Sequence, residues 1–185
     1  MPRADSTLRP MVISAAMAAM GLVLPIAFHA VGLGNKFLPM LLPLLLNGFL
    51  VPLPWAVTTG VLVPLISSVA TGMPPLYPPV AFAMALEGAV MSGSAAAVYR
   101  GRQPRLWYAL VIAIILGRTT SLVSTWTIAT FLHLPRQLTT AAVLLQGLPG
   151  VLLQLAVVPL VVRRTSRRRS LLFNHGSASE TDVLQ

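Results

Sequence analysis

Two ionisable residues stand deep inside apolar stretches of this chain: Glu87 in VAFAMALEGAV and Arg118 in IILGRTTS. The other three of the four acidic residues, Asp5, Glu180 and Asp182, lie near the chain ends. An ionisable group surrounded by that much hydrocarbon is expensive unless paired or hydrated, so it marks a functional site by default. Two amides accompany the pair, Asn47 in LLLNGFL and Gln146 in VLLQGLP. Counted along helices, Glu87 is eight residues past Pro79 and Gln146 eight past Leu138, each about 12 Å below the outer end of its run. Asn47 and Arg118 come out nearer the midplane, and an arginine side chain can reach outward across the difference. The four residues can therefore converge in the outer half of a helical bundle and hydrogen-bond a small solute. They fit equally a structural Glu87–Arg118 salt bridge locking two helices, and the sequence leaves both readings open.

Three further residues stand at the outer rim. His29 closes the first apolar run, where it reads as a hydrogen-bonded cap or as a ligand contact. Lys36 lies in the glycine-rich loop Gly32–Lys36, and Tyr77 in the proline-rich loop TGMPPLYPP, where it can cover a bound solute or anchor the interface. No histidine has a carboxylate or second histidine at ligand spacing, so no metal site is expected. Zero cysteines exclude disulfides and thiolate chemistry. No set of serine, histidine and acid, no phosphate-cradling glycine loop and no acidic cluster for magnesium is present. The chain reads as a non-enzyme without a cofactor, and any pumping must draw its energy from a partner.

The elements that position these residues follow from composition. The 185 residues are 56% hydrophobic and only 9% charged, against about a quarter charged in a soluble domain. The expected fold is all-α and integral to the membrane: a six-transmembrane-helix bundle with both termini cytoplasmic. Apolar runs fall at about 11–31, 37–53, 55–71, 79–99, 106–131 and 138–162, each near the roughly 20 residues a bilayer needs. Residues 1–10 form an N-terminal tail, 11–162 the membrane domain, and 163–185 a basic and then disordered tail. The first run is expected to be retained, since no small-residue cleavage site follows a short apolar core. Ten of the 13 Lys and Arg residues fall on the side of the termini, against Lys36 and Arg136 opposite, which places the termini inside. The net charge of +9 thus fixes topology and meets lipid head groups, and does not argue for nucleic acid. Trp55, Trp107 and Tyr108 sit where an interfacial aromatic belt belongs.

Breaks in the apolar runs matter as much as the runs. Pro39 and Pro43 interrupt the second, freeing backbone groups that must be satisfied by protein or a polar cavity. In the first run Ala15 and Ala19 are four apart on one face, a spacing that lets another helix approach closely.

These pieces together resemble the substrate-binding S components of energy-coupling factor (ECF) vitamin transporters, a group with pantothenate-, folate- and riboflavin-type members. The resemblance is carried by Ala15-x-x-x-Ala19, by PIAFHAVGLGNKFLPMLLPLLLNG from Pro25 to Gly48, by Pro64–Ser68 followed by Thr71-Gly72-Met73-Pro74-Pro75, and by Glu87. It covers about 11–162, with one departure at Leu41-Leu42, where a histidine would be expected. It implies a bundle in a prokaryotic plasma membrane that binds a vitamin or similar micronutrient under its outer loops. It also implies docking through Ala15 and Ala19 onto a membrane-embedded coupling subunit driven by two cytoplasmic ATPases. A stand-alone permease or channel would need a polar stripe through the bundle, and the cytoplasmic half is almost bare of polar side chains. A membrane assembly protein without a solute would use Glu87 and Arg118 for stability alone.

Overall fold

The computed structural model describes residues 4–30, 32, 39–77, 80–101, 105–133 and 147–182. Six helices follow one another: α1 (Ala4–Ala30), α2 (Leu41–Leu50), α3 (Leu53–Thr71), α4 (Val80–Tyr99), α5 (Leu106–Phe131) and α6 (Leu148–Asp182). There is no strand among the described residues. Five helices are long and apolar enough to cross a membrane, so the chain is a helical integral membrane protein.

The exception is α2. Its ten residues rise about 15 Å, half of a hydrocarbon core, where the sequence suggests a run from 37 to 53. Proline explains the short length. Pro43 falls in the first turn, where a missing N–H leaves no ladder bond unmade, and Pro52 stands just beyond the Val51 that closes the helix. All but two of its residues are buried, so α2 is a central plug with helices around it. It packs on α1, α3, α4 and α6. Met40, Leu41, Leu44, Leu45 and Phe49 join Val63, Met91, Leu110 and Val158 in the main core.

Helix α4 can sit at the centre because its buried positions are small: Ala81, Ala85, Gly88, Ala89, Ser92, Gly93 and Ala96 among them. At the α3–α4 crossing a Cβ on Gly60 would lie 2.6 Å from the carbonyl of Gly88. Only glycine allows the two backbones to meet there. The same contacts give register. Leu44 lies against Gly88 and Gly48 against Ser92, so α2 and α4 run parallel. Gly21 of α1 stands beside Val63 and level with Met40.

The outer connection after α3 is fastened down. Gly72 caps α3 with φ +71°, Ser67 Oγ donates to the Met73 carbonyl at 2.7 Å, and Ser68 Oγ donates to that of Pro74. Thr71 Oγ1 accepts from the Met73 N–H. At the other end, the backbone of α6 stays helical to Asp182, through the basic stretch from Arg163 and on into the segment that the sequence suggests is a disordered tail. The arginine-rich segment contains no proline to stop the helix, and arginine is a good helix former.

Candidate functional site

Helices α4 and α5 pack along most of their length, and this brings the two buried charges together. Glu87 Oε1 lies 3.0 Å from Arg118 Nη1, and the Ser121 hydroxyl, one turn further along α5, hydrogen-bonds the same carboxylate. Glu87 is 2% exposed. The approach is a charge contact without aligned hydrogen bonds. Oε1, and Nε and Nη2 of Arg118, are buried with no hydrogen-bond partner among the described residues. The pair is electrically neutral yet keeps two donors and one acceptor unused.

Asn47 belongs to a second cluster one turn inward. Seven residues along α2 from Met40 and seven back along α1 from Gly21 bring Asn47 and Ser14 to the same level. There Ser14 Oγ donates to Asn47 Oδ1 at 3.3 Å. That bond leaves Asn47 Nδ2 buried and unpartnered. Asn47 follows Leu44 and precedes Gly48 on a helix whose neighbours on α4 are Gly88 and Ser92. It therefore sits about 6 Å on the cytoplasmic side of Glu87. The sequence sets Asn47 nearer the midplane than Glu87, and the structure has it about one turn to the cytoplasmic side of the pair.

The rim residues behave differently. His29 Nδ1 lies 2.8 Å from the Pro25 carbonyl, one turn back on its own helix. It is the cap reading that the geometry matches. Tyr77 is 76% exposed on the TGMPP loop, away from the buried pair. Lys36 and Gln146 lie outside the described residues. Ala15 and Ala19 are exposed on the outward face of α1, beside Val12, Val23 and Ile26, while Ser14 and Gly21 face the bundle.

One buried polar residue escaped the sequence reading. Gln154 on α6 is 1% exposed, and both its Oε1 and Nε2 lack a partner among the described residues. Its signal was available: it is the single polar side chain between Leu148 and Val162, and Gln154, Val158 and Val162 recur every fourth residue. All three are buried, forming the inward stripe of α6. Among the described residues no group of His, Cys, Asp or Glu is placed to hold a metal ion.

Among the described residues the membrane interior thus holds buried hydrogen-bonding groups without partners on four helices. The family described as ECF transporter, substrate-specific component, has a model that matches residues 9–162. No curated protein and no solved structure matches the chain.

Proposed function

Since the chain belongs to the family of substrate-specific components of ECF transporters, we propose that it captures a vitamin-type micronutrient with high affinity in the outer half of its bundle. Membership makes the chain a membrane-embedded transport subunit with a small-molecule substrate and ECF partners. The finer reading rests on one observation, the buried Glu87–Arg118 pair with its unused Oε1, Nε and Nη2. Buried polar groups in native proteins are nearly always satisfied, and a solute held beside the pair satisfies these.

The solute enters beneath the TGMPP loop, which Ser67 and Ser68 hold against the end of α3. Glu87 and Arg118 then supply the polar floor, and the exposed Tyr77 stands on the outer loop, where it can cover the solute. The outward face of α1, with Ala15 and Ala19 uncovered, suits a close helix–helix contact with a membrane-embedded coupling subunit. Two cytoplasmic ATPases bound to that subunit supply the energy, in the plasma membrane of a prokaryote.

Native mass spectrometry of the chain, purified in mild detergent from cells grown in rich medium, tests the reading. The expected result is a co-purified small molecule of vitamin mass that is lost in a folded Arg118→Ala variant. An empty wild-type chain that also ignores a vitamin panel in thermal-shift assays would leave the pair a purely structural role.

A further inference from the structure

We propose that Gln154 contacts the solute directly, and that the solute is an uncharged molecule with a lactam- or ureide-type edge, a hydrogen-bond donor beside an acceptor. This rests on the solute-binding reading above and names the class of molecule it concerns.

Position comes first. Helix α6 packs on α2 and α5, the helices that carry Asn47 and Arg118, so a side chain of α6 with 1% exposure faces the same interior. Counted up from Tyr99 and Leu106 at the cytoplasmic ends of α4 and α5, Glu87 and Arg118 stand about 18 Å deep; counted up from Arg163, where the basic stretch of α6 begins, Gln154 stands about 14 Å deep, within one turn of them. Gln154 therefore lies between the level of the ion pair and that of Asn47.

Charge and geometry then select the ligand. The acid and the base in the described spans are paired with each other, so an ionic solute would enter without a countercharge, which a low-dielectric interior penalises heavily. A glutamine amide presents an acceptor and a donor side by side, and neither has a partner among the described residues. Its complement is a donor beside an acceptor, the arrangement by which glutamine reads the matching edge of a nucleobase. A carboxylate would satisfy Nε2 but set its lone pairs against Oε1. Asn47 Nδ2 and the free Arg118 nitrogens add donors for carbonyl or ring-nitrogen acceptors elsewhere on the molecule.

The test uses the full chain in detergent. The probes are riboflavin and biotin methyl ester (uncharged, with a ureide edge), pantothenate (an anion) and thiamine (a cation). The expected result is a rise in melting temperature with one or both uncharged probes and none with the ions. Gln154→Leu is expected to weaken that binding about tenfold or more, as loss of two hydrogen bonds predicts. The unliganded variant should melt at or above wild type, because an unsatisfied amide has been removed. Gln154→Met, closer in shape, provides the same readout if the leucine variant does not fold. Preferred binding of pantothenate or thiamine, or unchanged affinity with a lowered melting temperature in the Gln154 variants, overturns the assignment while leaving solute binding intact. A wild-type chain that carries and binds nothing removes the solute-binding reading, and this assignment with it.

Discussion

Replacing Arg118 by methionine strands a carboxylate that is 2% exposed, whereas replacing both partners strands nothing. At 3.0 Å and an effective dielectric near 20, the attraction between Glu87 and Arg118 is about 5.5 kcal/mol. Removing both ions from water offsets most of that, and such pairs are often no better than well-packed apolar residues. Arg118→Met should therefore destabilise the chain by about 3–5 kcal/mol, a fall in melting temperature of roughly 6–20 °C for a chain of this length. Glu87→Leu should destabilise it less, because the arginine, 19% exposed along its side chain, can turn its head group towards water. The double variant Glu87→Leu/Arg118→Met should recover to wild-type stability or exceed it. Thermal melting of the four purified proteins in detergent completes the cycle, and solute binding is measured on the same samples. Recovered stability with lost binding is the expected outcome. A double variant as unstable as Arg118→Met would show that the pair holds the helices together, and the argument from unused hydrogen-bonding groups would fail.

At the α3–α4 crossing, Gly60→Ala puts a methyl 2.6 Å from the Gly88 backbone. It should lose at least about 1–3 kcal/mol by forcing the helices apart. Gly72→Ala, at φ +71° but with open space around it, should lose only about 1–2 kcal/mol of backbone strain. Melting curves of the two variants distinguish crowding from conformation. Ala15→Leu/Ala19→Leu should leave melting of the isolated chain unchanged, since both positions are exposed. The same variant should lose the coupling subunit in a co-purification experiment. Ser14→Ala frees the Asn47 amide from its 3.3 Å bond, and solute affinity measured by titration should fall about fivefold, the effect of one hydrogen bond.

How much of this was legible in the sequence depends on which physical signal each feature leaves. Glu87 and Arg118 were legible because charge in an apolar run is rare and its depth can be counted from the helical rise. The outward face of α1 was legible from Ala15 and Ala19, since small residues four apart mark a helix-packing surface. The length of α2 was not, because hydropathy does not record where proline ends a helix. Leu38 and Val51 are as apolar as Leu45. Gln154 carried as clear a signal as Gln146. What drew notice to Gln146 was a depth equal to that of Glu87, and equal depth on separate helices does not establish a shared interior.

The unused groups also bear on how the empty bundle stays folded. Asn47 Nδ2, the Gln154 amide, and Nε and Nη2 of Arg118 are buried without hydrogen-bond partners among the described residues, each a penalty of about 1–3 kcal/mol. The glycine crossings at Gly48, Gly60 and Gly88, which bring backbones into contact, and the leucine plug of α2 offset that penalty by close packing. A chain selected for stability alone would replace Gln154 with leucine, as its neighbours Leu152, Leu153 and Leu155 allow. On the solute-binding reading, the partner of that amide is the solute. Any ligand that binds only the folded bundle must then stabilise it in proportion to occupancy. On the solute-binding reading, the same polar atoms that weaken the empty state are the ones that hold the solute.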